Sequence, residues 1–471
     1  MPASIPRIAP PSTRRIGSSV LLPVLLLVTG ACQSTGSSAA ASGSNGASGN
    51  GSAVSTLSTP DPRAIRSDIA ILASEAWEGR GTGTAGNDSA AAFLARRYRS
   101  LNLLPLAVDS TGASCGRPTG TPCAPSFLQK FTARPVARAH TGAARILPTQ
   151  NVVAMLRGTD PVLRNEYVVI GAHFDHLGRE PEFSQDPEAK NAVRNGADDN
   201  ASGTAALLEL ARLFSRTPTK RTLVFAHFSG EELGLLGSAH FVGSPPFPLA
   251  KAQAMINFDM IGRLRDDKLI VYGVATAVEM RALVDSANNG VGLRIFAQGD
   301  GTGPSDHASF YLKDMPVLHF FTDLHDDYHR ATDDIEKINA EGEAKVIALA
   351  ERVIRDMADR STRLSFVRAA AAPVATSSRE GSNTYLGSVP DMAAGDVVGL
   401  RLTGIRPGSP ADSGGLKAGD VIVEFDGKAI TDLYTYTDAL YARQPGDTVK
   451  IVVMRDKERK TLTVTLGKRG G

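Results

Sequence analysis

Two adjacent carboxylates, Glu231 and Glu232, follow closely on the apolar run 222–226. Like charges side by side at a strand end repel each other, and burial disfavours their charged form. A bound cation would remove that cost. Other residues that bind metals or move protons occur at further strand ends and loops, namely His173, Asp175, Asp198, Asp199, Asp259, Tyr328 and His329. Together these residues predict a metal site that activates a water molecule.

The candidate ligands divide into two sets that share one carboxylate. Two divalent cations about 3.5–4 Å apart can hold one water molecule and one substrate carbonyl between them. We expect His173 and Asp259 on one ion, Glu232 and His329 on the other, and Asp199 as the bridge. Imidazole and carboxylate ligands without thiolate favour two zinc ions, with cobalt or manganese as alternatives.

Three further residues are expected to support the chemistry. Asp175 follows His173 by two residues and is placed to accept a hydrogen bond from the ring nitrogen that does not bind metal. Glu231 is the expected general base, which takes a proton from the zinc-bridging water and later gives it to the leaving amine. Tyr328 could donate a hydrogen bond to the developing oxyanion.

Each segment has a simpler interpretation when it is taken alone. A Glu-Glu pair can open a helix, where carboxylates complement the helix dipole, and an Asp-Asp-Asn run can form a turn. His325 is a rival to His329 as a ligand. The metal-site hypothesis depends on five such segments occurring together. The remaining histidines are expected to be packing or surface residues: His140, His176, His227, His240 and His319.

Strand-like and helix-like segments alternate from about residue 61 to about residue 366. The apolar patterns predict strands at 167–172, 222–228, 254–258, 268–272 and 317–322, and helices at 202–216, 235–241, 277–288 and 341–360. This alternation predicts an α/β fold with a mixed, mostly parallel sheet flanked by helices. Sites in such sheets lie beyond the carboxyl ends of strands, where His173, Glu231, Glu232 and Asp259 fall.

Five motifs carry a family resemblance: GAHFDHLG at 171–178, NGADDNASG at 195–203, SGEELGLLGS at 229–238, NFDM at 257–260 and YH at 328–329. They resemble the dizinc aminopeptidase family, which includes secreted bacterial leucyl aminopeptidases and glutamate carboxypeptidase II. The resemblance covers roughly residues 65 to 360 and implies a zinc-exopeptidase-like fold. It assigns the bridging role to Asp199 rather than Asp198, the general-base role to Glu231, and a cis peptide bond to Asp199–Asn200.

The resemblance implies hydrolysis of N-terminal residues from peptides. A carboxypeptidase or dipeptidase acting at the same site is an alternative, for which Arg263 is a candidate to bind the substrate carboxylate. The motif WEGRGTGTAG at 77–86 resembles an N-terminal family signature with an expected structural role. The loop SDH at 305–307 resembles a family segment that supports the site or lines the substrate cavity.

The N-terminus reads as an export signal. Basic residues precede the apolar run 20–28, which is too short for a comfortable membrane span and fits a secretory signal at 1–31. Cys32 follows a lipoprotein-like cleavage box, so we expect a lipid anchor in the bacterial cell envelope, with an ordinary signal peptide as the alternative. A Ser/Gly-rich linker follows at 32–59. Cys115 and Cys123 are expected to form a disulfide, with free thiols as the alternative.

A second module follows the expected peptidase domain (60–366) and a small, polar linker (367–383). Residues 384–468 resemble a PDZ domain, in which 385–388 would form the loop that binds a peptide C-terminus. A third hypothesis for the chain is therefore a peptide-binding adaptor. The net charge of +2 and the absence of a basic block argue against nucleic acid. The expected partners are peptides, with membrane contact only through the lipid.

Overall fold

The structure, a computed structural model, describes residues 59–107, 125–135, 146–180, 184–186, 189–369, 384–390, 398–405, 408–430, 435–436, 439–440 and 442–468. The expected signal peptide, Cys32, the Cys115–Cys123 pair and nearly all of both linkers lie outside these residues. Among the helices that are described, none combines the length and the apolar character needed to cross a bilayer.

A nine-stranded mixed sheet forms the centre of the larger domain. Its strands are β1 (Leu104–Pro105), β2 (Leu128–Ala133), β3 (Leu147–Leu156), β4 (Tyr167–His173), β5 (Thr222–Phe228), β6 (Ala252–Phe258), β7 (Lys268–Tyr272), β8 (Arg294–Ala297) and β9 (Val317–Phe321). They lie in the order β1-β3-β5-β4-β6-β9-β7-β8, and β2 also pairs with β3.

The sheet is parallel at its centre and mixed towards its edges. Strands β5, β4, β6 and β9 pair in parallel, as do β7 and β8. Strand β3 runs antiparallel to β5, and β7 runs antiparallel to β9. The mixed α/β fold is therefore confirmed, although antiparallel pairing is more extensive than a mostly parallel sheet implies.

Helices cover both faces of this sheet. They are α1 (Pro62–Leu72), α2 (Ala85–Ser100), α3 (Gly203–Arg216), α4 (Leu236–Gly243), α5 (Met280–Asn288), α6 (His307–Tyr311) and α7 (Ala340–Asp359). Short helical segments, two of them irregular, lie at Glu75–Arg80, Leu163–Asn165, Ala197–Ser202, Leu249–Lys251 and Ile335–Lys337. Each strand and helix predicted from the apolar pattern has a counterpart among these elements.

Strand β4 shows why its sequence is apolar throughout. Val168 and Ile170 point into one hydrophobic core, which they share with helices α1, α3 and α7, whereas Val169 points into a second core on the opposite face. Successive side chains of a strand alternate between faces, so a strand covered on both sides needs apolar residues at every position. His173 is the last residue of β4 and lies at the carboxyl end of the strand, in register with Phe228 at the end of β5.

The C-terminal module is rich in β-structure. It contains β10 (Thr384–Tyr385), β11 (Ser388–Pro390), β12 (Leu400–Ile405), α8 (Pro410–Ser413), β13 (Val421–Phe425), β14 (Lys428–Ala429), β15 (Thr448–Arg455), β16 (Glu458–Thr465) and β17 (Gly467–Lys468). Strands β11, β12, β13, β15 and β16 pair in that order around a separate hydrophobic core. Within 385–388, Leu386 is buried and its carbonyl accepts a hydrogen bond from the Ala411 amide.

Candidate metal centre

The structure brings all five expected metal ligands to the carboxyl ends of the central strands. Asp199 lies between the two histidines and presents one oxygen to each of them. Its Oδ1 is 3.4 Å from His173 Nε2, and its Oδ2 is 3.3 Å from His329 Nε2. His173 Nε2 is also 3.3 Å from Asp259 Oδ1, and His329 Nε2 is 3.0 Å from Glu232 Oε2. The ring nitrogens and carboxylate oxygens therefore converge on two adjacent points.

The buried carboxylates favour positive charge at the two places where the ligand atoms converge. Burial alone would lower the pKa of His329, but Glu232 and Asp199 raise it to about 10. Burial would likewise raise the pKa of Asp199, yet His176, His173 and His329 hold it well below its ordinary value. The oxygen and imidazole donors fit a divalent cation of the zinc type. Two sets of donor atoms are close enough together to hold an ion. One set comes from His173, Asp199 and Glu232, and the other from His173, Glu231 and Asp259.

The loop that carries Asp199 is fixed from two sides. Asp333 accepts hydrogen bonds at Oδ2 from the amides of Asp198 and Asp199, at 2.9 and 3.1 Å. Asn200 Nδ2 donates to the carbonyl of Phe258 at the end of β6, at 2.9 Å. The Asp199–Asn200 peptide bond is cis, as the family resemblance implies. The sequence gives no signal for Asp333. It lies in no recognisable motif, and its contacts with this loop are to main-chain amides, which any residue provides.

Asp175 differs from its expected contact. The Nδ1 of His173 lies 3.2 Å from the main-chain carbonyl of Asp175, whereas the nearest carboxylate oxygen is 3.8 Å away. The carboxylate instead accepts hydrogen bonds from the Thr82 hydroxyl, at 2.8 Å, and from the Glu231 amide, at 3.2 Å. The side chain therefore positions the loop of Glu231, and the main chain of the same residue orients the imidazole.

Glu231 and Tyr328 face the cavity that opens at the site. The cavity has a volume of about 100 Å³, and its walls include both residues together with His173, Asp199, Glu232, Asp259 and His329. Burial raises the pKa of Glu231 well above its ordinary value, and Glu232 and Asp259 raise it further. Burial also raises the pKa of Tyr328, so its phenol stays protonated and able to donate. Its ring stacks on His329 at 3.8 Å between centroids.

Three candidates lie outside the ligand cluster. Asp198 does not face the two histidines of the site; its Oδ2 is 3.2 Å from Nε2 of His325, the rival ligand. Arg263 binds Asp333 at 2.7 Å and Asp327 at 3.2 Å, and its side chain is only 10% exposed. It is therefore engaged in the support of the site rather than presented to a substrate.

The loop at 305–307 supports the site and lines the cavity. The Ser305 hydroxyl donates to Asp259 Oδ2 at 2.8 Å, which leaves Oδ1 directed at His173. His307 and His319 stack in parallel at 4.5 Å, and both belong to the cavity wall. The sequence prediction for His319 was therefore incomplete, because a strand residue with no motif around it gives no sign of the cavity beside it.

His176 was expected to be a packing or surface residue, and this prediction was wrong. Its ring is buried in the cluster, with Nδ1 2.7 Å from Glu232 Oε1 and 3.8 Å from Asp199 Oδ2. A signal was present in the sequence, since His176 belongs to the same HFDH run as His173. It is the fourth residue of that run, three positions after the end of β4, where its main chain forms an isolated bridge with Gly81.

The segment 77–86 holds two of the ligand loops together. Arg80 is fully buried, and its guanidinium donates to the carbonyls of Phe174, Asn195 and Gly196 at 2.8, 2.7 and 3.0 Å. It also donates to the carbonyl of Leu72 in α1 at 2.7 Å. These loops carry His173 and Asp199, so the structural role expected for this segment extends to the geometry of the centre.

Comparison with known proteins identifies relatives. Residues 151–354 match the model of peptidase family M28, and residues 377–466 match that of the PDZ domain. The chain is 26% identical over 203 residues to aminopeptidase YwaD of Bacillus subtilis, which covers 41% of each chain. The matched segments span roughly a third to two fifths of the length of the curated relatives.

Solved structures share the fold. A Zn-dependent exopeptidase from Parabacteroides distasonis superposes with a TM-score of 0.50 at 18% identity, covering 64% of this chain and all of the other. Glutaminyl cyclase from Porphyromonas gingivalis superposes with the same TM-score at 19% identity, covering 63% and 98%. The family models place residues 151–354 in peptidase family M28 and residues 377–466 among PDZ domains, and the solved structures show the shared fold alone.

Proposed function

We propose that the chain is a two-zinc aminopeptidase that removes N-terminal residues from peptides. The observation that carries this proposal is the placement of Asp199, whose two oxygens face two different histidines. A carboxylate placed in this way suits a bridge between two cations. His173 and Asp259 would complete one set of ligands, and Glu232 and His329 the other.

When bound, the zinc ions would supply a Lewis acid and lower the pKa of water. Glu231 would take the proton from the attacking water and pass it to the leaving amine. Burial raises the pKa of Glu231, and the neighbouring cations would favour the carboxylate form that accepts the proton. The phenol of Tyr328 would donate a hydrogen bond to the oxygen on which negative charge develops.

The side chains of the cavity wall favour a substrate with a free α-amine. Glu231, Glu232 and Asp259 contribute carboxylates to its wall, and the described wall residues include no lysine or arginine. Arg263, the candidate for binding a substrate carboxylate, is paired with Asp327 and Asp333 instead. Two bound zinc ions would balance the charge of the four wall carboxylates, so the end preference depends on which side chains remain to pair with the substrate. An α-ammonium could pair with a carboxylate, whereas a C-terminal carboxylate would find no basic side chain among the described wall residues. These observations support an aminopeptidase over a carboxypeptidase.

The shared fold alone does not choose among activities, since it also occurs in a glutaminyl cyclase. The full set of five ligands supports a two-metal hydrolase over a one-zinc enzyme. We further propose that the chain is exported and lipid-anchored through Cys32, and that the PDZ domain recruits peptide or protein C-termini. The N-terminal sequence pattern and the PDZ match support these two proposals.

The test combines metal content with substrate polarity. Full-length protein purified without chelator is expected to contain two zinc ions by mass spectrometry of the metals. It is expected to release the chromophore from leucine p-nitroanilide but not from the N-acetylated compound. Protein that takes up no transition metal would refute the metal site. Equal cleavage of the blocked substrate would refute the end preference, and preferential release of C-terminal residues would support a carboxypeptidase.

Glu231→Gln tests the base separately from the metal. The amide cannot accept the proton, and the general base is worth about 100- to 10,000-fold in rate. We expect the variant to retain both zinc ions and the melting temperature of the wild type while kcat falls by that factor. Retained turnover would refute the role of Glu231, and loss of zinc would place it among the ligands.

A further inference from the structure

His176 contacts one of the proposed ligands at hydrogen-bond distance. Its Nδ1 lies 2.7 Å from Glu232 Oε1, and both side chains are buried. The other oxygen of the same carboxylate, Oε2, lies 3.0 Å from His329 Nε2. Glu232 is thus held between two imidazoles, one on each oxygen.

Contacts other than the one with Glu232 also hold His176 in place. The main chain of His176 forms a bridge with Gly81, and its amide donates to the carbonyl of Arg80. Gly196 lies against the ring: a side chain at this position would bring its Cβ within 2.5 Å of Cγ and Cδ2 of His176. The edge of the ring also packs on His329, at 5.8 Å between centroids. These contacts hold the imidazole of His176 independently of its hydrogen bond with Glu232.

We propose that His176 is a positioning residue that fixes Glu232 as a metal ligand through one oxygen. This inference rests on the proposed two-zinc site. An Nδ1–H that donates to Oε1 occupies that oxygen and orients the plane of the carboxylate. Oε2 then remains directed at the point shared by His329 and Asp199. Hydrogen bonds of this kind to ligating groups typically change metal affinity by about 10- to 100-fold.

The competing assignment makes His176 a ligand in place of His329. Distances favour His329, whose Nε2 lies 3.0 Å from Glu232 Oε2 and 3.3 Å from Asp199 Oδ2. His176 Nδ1 is 3.8 Å from the same oxygen of Asp199. Its short contact is with the oxygen of Glu232 that faces away from His329, so the geometry is that of a support for the ligand.

The experiment compares two variants of similar size in the full-length protein. His176→Asn retains an amide donor close to the position of Nδ1, and His176→Leu lacks one. Zinc affinity is measured by competition with a chromophoric chelator, and bound zinc by mass spectrometry. Circular dichroism and the melting temperature report the fold. His240→Leu is the matched control, because His240 stacks on Phe131 outside the cluster.

We expect His176→Leu to bind one of its two zinc ions about 10- to 100-fold more weakly. His176→Asn should restore affinity to within a few-fold of the wild type, and His240→Leu should not change it. Wild-type affinity in the Leu variant, or equal losses in the Leu and Asn variants, would overturn this inference alone. Complete loss of one zinc ion in both variants, with His329→Ala retaining two, would make His176 a ligand. Wild-type protein without zinc would overturn the proposed function, and this inference with it.

Discussion

Arg80→Lys should weaken both the fold and the metal centre, although it preserves the charge. The guanidinium of Arg80 donates to four buried carbonyls, those of Leu72, Phe174, Asn195 and Gly196. Burial lowers the pKa of this guanidinium to about 10, while Asp175, Asp199, Asp333 and Glu232 favour its charged form. The side chain is therefore a buried cation whose cost is offset by the carbonyls and by the acidic site around it.

The size of the effect follows from the number of carbonyls left unpaired. A lysine ammonium is a single point, whereas the donors of arginine are spread over a planar fork. We take the ammonium to reach at most two of the four carbonyls. A buried polar group without a partner costs about 1–3 kcal/mol, so two of them cost about 2–6 kcal/mol. Since whole domains are stable by about 5–15 kcal/mol, this loss is readily measurable.

The single tryptophan of the chain provides the assay. Trp77 lies three residues from Arg80 and packs on Phe93 at 5.6 Å between ring centroids, so its fluorescence follows the peptidase domain rather than the PDZ domain. Urea unfolding gives the stability, and chelator competition gives the zinc affinity. Arg281→Lys is the control, because its exposed pair with Asp285 is worth little. An Arg80→Lys variant within about 0.5 kcal/mol of the wild type would refute this reasoning.

Three further predictions concern the phenol, a buried histidine and the metal. Tyr328→Phe should lower kcat by about 100- to 1,000-fold with zinc content unchanged, and a change confined to KM would argue against the oxyanion role. Burial lowers the pKa of His227 to about 3, so the unfolded state binds a proton that the folded state does not. The free energy of unfolding should therefore fall by about 2 kcal/mol between pH 7.5 and pH 5. Urea unfolding of His227→Gln should lack that loss, and an unchanged pH dependence would contradict it. Chelation should abolish hydrolysis and lower the melting temperature, and zinc should restore both; at 100 times Kd each ion adds about 2.7 kcal/mol.

The sequence predicts the central sheet well because its strands are apolar at nearly every position. The segments 222–228 and 268–272 coincide with β5 and β7. Strand β3 was not predicted, since polar residues such as Thr149, Gln150 and Asn151 interrupt its apolar pattern. These side chains are buried but satisfied: Asn151 Nδ2, for example, donates to Gln129 and to the carbonyl of Gly237. Tertiary hydrogen bonds of this kind leave no local periodicity.

The site residues, like the strands, were predicted where the signal is local in sequence and were missed where it depends on tertiary contacts. The five expected ligands are recognisable because each lies in a short motif of a metal-binding type, and the structure brings them together. The contacts of Asp175 and Asp333 could not be predicted in this way, and the HFDH run marks His176 as a candidate without showing which carboxylate it contacts. Each depends on which oxygen or amide of a distant loop faces the side chain. Residue type predicts candidate ligands, whereas their orientation depends on contacts between segments far apart in the chain.

The segment 77–86 supports the centre although it lies far in sequence from the ligands. A cluster of Asp199, Glu231, Glu232 and Asp259 repels itself, so the loops that carry these carboxylates tend to separate. Hydrogen bonds from outside those loops must oppose this separation. Arg80 joins the His173 loop to the Asp199 loop, and Thr82 fixes Asp175 beneath Glu231. A chain that lacked this segment would keep every ligand and lose the geometry that allows them to share two ions.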